Sequence, residues 1–336
     1  MPTVSVIVLN YNGAHLLEDC LSSLKAQTYR DFEVIFVENG STDRSSERAR
    51  ALLPECRIIA LPQNIGYASA NNVGMRAATG RYVVLLNNDI KADEHFLEEL
   101  VRAVDSDEIG MVAPKILNFY EPQRIDSVGG LLLCADGIGR GRGRGELDHG
   151  QYDQARVGLL PSGCAALYRK SMLDEVGLLP EEFFAYCEDS DLGLRGLWAG
   201  WRTAVAPRAV IYHKYSATNG QYSPFKMRLV ERNHYFLALR NFPFPLLVWL
   251  PFCTCYRYLL MAWAVLFRKG TGLATKQAGT WPLLAAFLQG HWQALLGAPG
   301  QLARRPRLKR ISNKAFAGLL KQYNMPLKDL IFNDGD

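Results

Sequence analysis

The sequence of 336 residues lacks paired cysteines and a recognisable export signal. Its seven cysteines, at positions 20, 56, 134, 164, 187, 253 and 255, form no CxxC pair, so they predict neither a disulfide framework nor a zinc cage and favour a reducing compartment. The N-terminus reads MPTVSVIVLNYNG, without a basic segment or a small-residue cleavage site. We therefore expect a first buried strand in place of a signal peptide, and a protein that stays inside the cell.

Charged residues are also sparse. They make up 21% of the chain against 49% hydrophobic residues, which excludes general disorder and fits one large globular domain, or one domain with an appendage. The formal net charge of +5 is unevenly placed, because basic residues cluster at 304–310 beside long apolar stretches. This combination indicates anionic lipid as a partner and argues against nucleic acid.

Short apolar runs rich in β-branched residues alternate with segments of helical spacing in the first 90 residues. This order predicts an α/β fold in which a parallel sheet is covered by helices on both faces and collects ligands at the carboxyl ends of its strands. Ser41 or Thr42 is predicted to cap the second helix. The predicted strands are 4–9, 32–37, 57–61 and 82–86, and predicted helices include 15–27 and 68–78.

Beyond residue 115 the alternation loosens. Residues 137–145 read GIGRGRGRG and predict a mobile loop, with a plain solvated linker as the alternative. A helix is predicted at 181–197 and a strand at 204–212. We place a boundary after residue 225, so that 1–225 form the α/β domain and 226–336 an apolar and basic helical region.

Residues 242–267 are almost wholly apolar and aromatic, interrupted by three prolines and Arg257. A membrane-spanning helix needs about 20 consecutive apolar residues, and these interruptions favour a helix that lies in the membrane interface. A spanning helix and a helix buried in the protein core are the alternatives. Residues 281–296 fit the same interfacial interpretation.

Polar residues that could carry chemistry lie where predicted strands end. Asn87, Asn88 and Asp89 follow the strand YVVLL, which puts a carboxylate where Mg²⁺ or Mn²⁺ could share its ligands with a phosphate. His213, at the end of AVIYH, could reach the same cation. The alternatives are ordinary turn chemistry for the triplet and a structural role for a lone histidine.

Glu188 and Asp189 open a tight acidic cluster that follows an apolar and aromatic run. Such crowding raises the pKa of one carboxyl group, and a carboxylate at a pocket edge can act as general base toward a hydroxyl. The alternative is a favourable interaction with the dipole of a helix. Glu38 could accept a hydrogen bond from a nucleobase N–H, while Asn64 and Asn72 could bond ribose or phosphate; an ordinary surface loop is the alternative.

Five sequence blocks within residues 3–242 resemble glycosyltransferase family 2, and within it a bacterial branch similar to rhamnosyltransferases. The resemblance implies a GT-A fold, which is Rossmann-like with a mostly parallel sheet and helices on both faces. It also implies an inverting mechanism and a divalent cation, Mg²⁺ or Mn²⁺, bound through an Asp-x-Asp element. The blocks are VSVIVLNYNG, VENGSTDRS, NIGYASANNVGMRAATGRYVVLLNNDI, PSGCAALYRKSMLDEVGLLPEEFFAYCEDSDLGLRGLWAGW and PRAVIYHKYSAT.

Carried onto this sequence, the resemblance implies a role for each candidate residue. Asp89 and His213 would hold the metal, and Asp189, beside Glu188, would be the catalytic base. Two positions depart from the family pattern: Asn87 replaces the first aspartate of the metal element, and Glu38 stands where aspartate is usual. The predicted contacts to the donor are Asn10, Glu38, Asn64, Asn72, Asn87 and Asn88.

The expected reaction moves a sugar, with rhamnose as the branch's leading suggestion, from a dTDP-, UDP- or GDP-linked donor to a glycan or polyprenyl-linked acceptor. The expected place is the cytoplasmic face of the membrane, with the protein peripheral or anchored through its C-terminal region. Residues 137–152 could close over the donor and exclude water. The alternative is a non-catalytic protein that binds nucleotide sugars on the same fold. A nucleotidyltransferase would need a glycine-rich basic loop where LNYNG stands, and a processive polysaccharide synthase a QxxRW-like block.

Overall fold

The computed structural model describes residues 2–214, 223–267 and 280–332. The four predicted N-terminal strands are present and begin at the predicted residues; the third also ends as predicted, and the others end one or two residues later. Ser41 and Thr42 do not cap the second helix, because Asp43 accepts the hydrogen bond from the Ser45 amide (3.1 Å). The chain begins with β1 Val4–Asn10, α1 Leu17–Lys25, β2 Phe32–Asn39, α2 Ser45–Leu52, β3 Arg57–Leu61, α3 Tyr67–Ala77 and β4 Tyr82–Asn87.

The second half of the α/β unit contains three helices, two long strands and several short ones. These elements are β5 Ile90–Ala92, α4 Phe96–Arg102, β6 Ile109–Asn118, β7 Ile125–Val128, β8 Leu131–Cys134, β9 Gly139–Gly141, β10 Val157–Gly158, β11 Ala165–Arg169, α5 Lys170–Val176, α6 Glu188–Trp198 and β12 Arg202–His213.

One central sheet has the strand order β10-β12-β6-β11-β4-β1-β2-β3, with β5 and β7 added to β12 and β6. β1 lies parallel between β2 and β4, and Leu9 is level with both Val37 and Asn87. The polar residues that follow these strands therefore meet at one edge. The parallel core is confirmed, whereas β11 runs antiparallel between β4 and β6, and β12 is again parallel to β6.

The sheet is covered on both faces, as the strand pattern predicts. Along β1, Ile7 belongs to the apolar cluster on one face, and Val6 and Val8 to the cluster on the other. All three side chains are buried. This alternation is the two-residue period of a strand whose two faces are both packed against other elements.

The mobile loop predicted at residues 137–145 is wrong. β9 pairs antiparallel with β8 to form a hairpin, and Arg142 donates from Nε to the Val128 carbonyl (2.9 Å). Gly137, Gly143 and Gly145 have φ values of +92°, +77° and +82°, which glycine adopts without strain. The glycines therefore serve a tightly turned hairpin, and composition alone does not separate that use from flexibility.

The single helix predicted at 181–197 is also wrong in its first turns. Glu181–Phe183 form a short 3-10 turn, and α6 begins only at Glu188. Between them, Phe184, Tyr186 and Cys187 have positive φ. The Asn233 amide donates to three carbonyl groups in this break, those of Phe183, Ala185 and Tyr186 (2.8–2.9 Å).

Helices dominate the C-terminal region, and the predicted boundary after residue 225 falls inside the first turn of the first of them. Phe316 stacks on Trp198 with ring centroids 3.9 Å apart, so the end of the chain returns to the α/β unit. The last short strand pairs with β8. The elements are α7 Pro224–Asn241, α8 Phe244–Phe267, α9 Thr280–Ala303, α10 Asn313–Gln322, β13 Asn324–Met325 and α11 Leu327–Phe332.

Within the described ranges, α8 is the one helix long and apolar enough to cross a membrane, with a mean hydropathy of 1.4 over its most apolar stretch. Only one side of it is buried, through Leu250, Thr254, Arg257 and Ala264. The opposite side leaves large apolar side chains exposed, and α9 adds more. Examples are Trp249, Phe252, Leu259 and Trp263 on α8, and Trp281, Leu288, Trp292 and Leu296 on α9.

Candidate active site

A cavity of about 940 Å³ opens at the carboxyl ends of β1, β2 and β4. Asn39 and Asn87, the last residues of β2 and β4, form part of its wall. The start of α6 supplies Asp189, and α7 and α8 close another side. This is the place where open α/β sheets collect their ligands.

Asp89 and His213 meet at one wall of the cavity. The ladder between β5 and β12 pairs His213 with Ile90, and the Lys214 amide donates to the Asp89 carbonyl (2.9 Å). Oδ1 of Asp89 is buried without a hydrogen bond and lies 3.5 Å from Nε2 of His213. The structure thus brings together the two residues that the sequence proposes as metal ligands.

Asp126, on β7, holds the other side of the His213 ring. Its Oδ2 lies 2.7 Å from Nδ1 of His213, and its Oδ1 accepts a 2.8 Å hydrogen bond from Arg144. Burial opposes ionisation, but His213 and Arg144 lower the pKa of Asp126. The carboxylate therefore fixes the ring so that Nε2 faces Asp89, as outer partners of metal-binding histidines do. No local sequence signal marks Asp126, which is 87 positions before His213.

The chemistry of this wall fits a hard divalent cation. Although burial alone would lower it, the neighbouring Cys164, Asp126 and Asp89 raise the pKa of His213 well above its usual value, so positive charge is favoured here. Among the described residues, no three His, Cys, Asp or Glu side chains gather in the arrangement of a complete metal site. A cation at Asp89 and His213 would need further ligands from water and a substrate phosphate, which Mg²⁺ and Mn²⁺ commonly use.

Asn10, Glu38 and Asn88 form a chain of hydrogen bonds at the end of β1. Asn88 donates to Oδ1 of Asn10 (2.6 Å), and Asn10 donates to both Glu38 carboxylate oxygens (3.1 and 3.2 Å). Burial raises the pKa of Glu38, while hydrogen bonds from Ser41 and Asn10 oppose the rise. Asn88 lines the cavity, but Asn10 and Glu38 are buried behind it. The Glu38 carboxylate is held by Asn10 and Ser41, and its predicted nucleobase contact stays a prediction.

Of the two asparagines predicted to contact ribose or phosphate, Asn64 in the loop before α3 lies at the cavity, and Asn72 on α3 lies away from it. Asn64 lines the cavity, where its Oδ1 accepts from Asn39 (3.0 Å), a residue that the sequence interpretation missed. Asn72 does not line the cavity. Its side chain donates to the Leu179 carbonyl (2.9 Å) and accepts from the Leu179 amide (3.0 Å), and its predicted donor contact stays a prediction.

Glu188 and Asp189 stand at the first turn of α6, on the cavity wall. Oδ2 of Asp189 accepts from the Gly163 amide (2.7 Å), and Oδ1 accepts from the Ser190 amide (2.6 Å). Oε2 of Glu188 is buried without a partner. Burial raises the pKa of Asp189, and burial together with the charge of Asp189 raises the pKa of Glu188 to about 8. The hydrogen bonds favour the ionised form of Asp189, so the proton that the pair retains near neutral pH belongs on Glu188.

Arg257, read from the sequence as an interruption of an apolar segment, is buried beside the cavity. Its guanidinium donates to Asp136 (2.5 Å) and to both oxygens of Glu231 (2.9 Å each). Tyr258 donates to the same Glu231 carboxylate. These contacts attach the middle of α8 to α7 and to the turn between β8 and β9.

Asp89, which follows β4, and Asp189, at the start of α6, both line this cavity, as the resemblance to a sugar-transferring family implies. Residues 5–177 match the family described as glycosyl transferase family 2. The chain belongs to that family, and the fold and enzyme class predicted from its sequence are confirmed.

Curated relatives share this assignment. The uncharacterized glycosyltransferase EpsJ of Bacillus subtilis is 26% identical over 71% of this chain and 72% of its own length. An N-acetylglucosaminyl-diphospho-decaprenol L-rhamnosyltransferase of Mycobacterium tuberculosis is 27% identical over 70% of this chain and 84% of its own length, which supports the rhamnosyltransferase-like resemblance. The chain spans less than half of other relatives that it matches, 40% of one and 25% of another.

A solved structure has the same fold. It is a mannosyltransferase from Pyrobaculum calidifontis in complex with GDP-mannose and Mn²⁺. Its TM-score is 0.54 at 21% identity, and the match covers 96% of this chain and 87% of the other. At this identity the likeness concerns the fold.

Proposed function

We propose that this protein transfers a sugar, with inversion, from a nucleoside-diphosphate donor to a hydroxyl group of a lipid-linked or cell-envelope glycan at the cytoplasmic face of the membrane. The observation that carries the proposal is the cavity itself, which has Asp89 and His213 at one wall and Asp189 at another. A donor diphosphate beside the first pair would place its sugar toward the base.

Asp189 acts as the general base. It takes the proton of the acceptor hydroxyl while that oxygen bonds to the anomeric carbon, and the bond from this carbon to the donor diphosphate breaks in the same displacement. Glu188, protonated near neutral pH by its raised pKa, leaves Asp189 as the ionised member of the pair. One displacement gives one inversion, and one carboxylate suffices, unlike the two of glycoside hydrolysis.

Asp89 and His213 are the residues that would hold a divalent cation, with Asp126 fixing the histidine. A cation bound there would stabilise the negative charge that develops on the departing nucleoside diphosphate. The orphaned Oδ1 of Asp89 supports this assignment, and so does Mn²⁺ in the related mannosyltransferase complex. We propose Mg²⁺ or Mn²⁺ as the ion.

The mycobacterial relative supports the acceptor class and the sugar, since its name gives a diphosphate-linked lipid acceptor and L-rhamnose. GDP-mannose in the archaeal structure supports a nucleoside-diphosphate donor, which for this chain is dTDP-, UDP- or GDP-linked. Asn64, Asn87 and Asn88 line the cavity and are the proposed polar contacts to that donor.

The exposed apolar sides of α8 and α9 are the proposed membrane contact. A helix of the protein core would bury these side chains, and only 22% of the apolar stretch of α8 is buried. At the middle of α8, Arg257 forms ion pairs with Asp136 of the α/β unit and with Glu231 of α7. A helix surrounded by lipid on all sides would not make these contacts. An interfacial helix satisfies both observations, with its bound side on the protein and its free side in the lipid.

The test uses purified protein, Mn²⁺, a lipid-linked sugar acceptor and a panel of dTDP-, UDP- and GDP-sugars. Asp189→Asn removes the base and keeps the shape, so transfer should fall by about 10² to 10⁴ while donor binding persists. Asp174→Asn, an exposed aspartate on α5, is the matched control and should retain full turnover.

Unchanged turnover in Asp189→Asn would overturn the assignment of the base. Donor binding by the wild-type protein with no transfer to any acceptor would favour the non-catalytic alternative, a nucleotide-sugar-binding protein.

A further inference from the structure

A second, smaller cavity of about 210 Å³ adjoins the catalytic one. The two cavities share Phe184 and Phe225, whose rings meet edge to face with centroids 5.9 Å apart. The remaining walls come from α7, through Arg228, Leu229 and Arg232, and from α9, through Gln293. The cavity therefore lies between the catalytic cavity and the helix that exposes Trp292 and Leu296.

Two arginines give this small cavity an excess of positive charge. Arg228 and Arg232 are four residues apart on α7, which puts them on one face of the helix. The Arg228 guanidinium makes no hydrogen bond or ion pair within the part of the chain that the structure describes, and its contact over the Phe225 ring (5.7 Å to the centroid) is what holds it. Burial and the charge of Arg228 lower the pKa of Arg232, and the charge of Glu182 offsets only part of this effect.

The carboxylates of neighbouring elements make their ion pairs with other arginines, and Glu182 offsets the charge of Arg232 only in part. Arg232 donates to backbone carbonyls, those of Phe183 (2.9 Å) and Glu182 (3.1 Å). The Glu182 carboxylate pairs with Arg240 (2.8 Å), and Glu231 pairs with Arg257. Among the residues that the structure describes, no acidic side chain lines the cavity. An anion would relieve the repulsion between the two guanidinium groups.

Gln293 adds a third polar group. Its Oε1 is buried without a hydrogen bond, and half a turn of the terminal amide would present Nε2 at that point. Two guanidinium groups and an amide donor suit an anion with several oxygen atoms, and guanidinium forks match phosphate geometry. The volume corresponds to several water molecules at about 30 Å³ each, which is enough for a phosphate group.

We propose that Arg228 and Arg232 bind the phosphate of the lipid-linked acceptor. This inference rests on the proposed function and deepens it. The acceptor sugar reaches the catalytic cavity past Phe184 and Phe225, and the lipid chain leaves along the exposed side of α9. Inorganic phosphate and anionic lipid headgroups share the chemistry of this ligand, so the test has to separate the three sources.

The first arm measures binding of geranyl diphosphate, a short lipid diphosphate, by calorimetry in EDTA, so that diphosphate binding through a metal is removed. Arg228→Gln should weaken binding by about tenfold or more, the loss expected for a charge-assisted hydrogen bond. Arg228→Lys should retain part of the affinity. Arg50→Gln, an exposed arginine on α2, is the matched control and should bind like the wild type.

The second arm compares the three possible sources of the bound anion: a lipid diphosphate, an inorganic anion and an anionic lipid headgroup. Inorganic pyrophosphate should bind more weakly than geranyl diphosphate, and Arg228→Gln should bind phosphatidylglycerol vesicles as the wild type does. The proposal would be overturned if the wild type bound pyrophosphate as tightly as geranyl diphosphate. It would also be overturned if Arg228→Gln left geranyl diphosphate binding unchanged, or lost only its binding to vesicles. If the wild type transfers sugar and Arg228→Gln leaves the acceptor KM unchanged, the phosphate site is refuted and the proposed function stands. If the wild type transfers no sugar, the proposed function is refuted, and the geranyl diphosphate binding result is unaffected.

Discussion

Replacing Arg257 tests how α8 is attached to the rest of the protein. Arg257→Met keeps the length of the side chain and removes its charge, leaving the buried carboxylates of Asp136 and Glu231 without their partner. Breaking a buried ion pair from one side costs about 3–5 kcal/mol, because an uncompensated charge remains in the interior. With a urea m-value of about 3 kcal/mol/M, the unfolding midpoint should fall by about 1–1.7 M.

The matched rescue is Arg257→Met with Asp136→Asn and Glu231→Gln, which removes the stranded charges and should recover most of the lost stability. The pH dependence provides a second check. Burial opposes ionisation, but Arg257 and His234 hold the pKa of Glu231 far below its usual value. The stabilisation that ionised Glu231 gives the folded protein is complete above its unfolded pKa of about 4.3 and is lost progressively as the pH falls toward its lower folded pKa. The unfolding free energies of wild type and Arg257→Met should therefore converge in acid.

Urea unfolding followed by circular dichroism measures these differences. A change of less than about 1 kcal/mol in Arg257→Met, or a rescue variant as unstable as the single variant, would refute the docking of α8 on the protein through this ion pair. The interfacial interpretation of the helix would then lose its main structural support.

Three further predictions concern the metal, the membrane and the base. Asp126→Asn should weaken Mn²⁺ binding by about 10–100-fold in the presence of a nucleoside diphosphate, because His213 loses the group that orients it; unchanged affinity by electron paramagnetic resonance titration would contradict this role. Trp249→Glu should reduce sedimentation with anionic vesicles by about tenfold or more, given about 1.5–3 kcal/mol for burying a large apolar side chain. Tyr120→Glu, at an exposed aromatic distant in sequence, should have no effect, and equal effects of both would contradict the proposed surface. The plot of kcat/KM against pH should rise as Asp189 ionises through its raised pKa and change again near pH 8, where Glu188 ionises. Glu188→Gln should abolish only the upper change, and an unaltered profile would contradict the assignment.

The sequence predicted the elements that local patterns determine. The strands from Val4 to Asn87 combine apolar runs with polar stops, and both signals are local. The place of Asp89 at the sheet edge followed from them, because the residues after parallel strands converge at one edge, whereas Asp189 lies at the start of α6 and its place did not. The resemblance to a family assigned roles that no residue pattern could give.

Long-range contacts determined what the sequence interpretation missed. Glu38 turns inward because Asn10 and Ser41 bind its carboxylate, and Asp126 is close to His213 only through sheet pairing. Glycine content could not separate a mobile loop from the β8–β9 hairpin, since both use positive φ. The break before α6 is likewise held by Asn233, which is distant in sequence.

The central claim is that Asp189 drives a single inverting displacement in the cavity between the sheet and α7. The most direct measurement is the anomeric configuration of the product, read by proton NMR after reaction with the donor that the panel identifies, with Asp189→Asn in parallel. The account predicts a product inverted relative to the donor, formed by the wild type and nearly absent with Asp189→Asn. A product with retained configuration, or equal product from the variant, would contradict it.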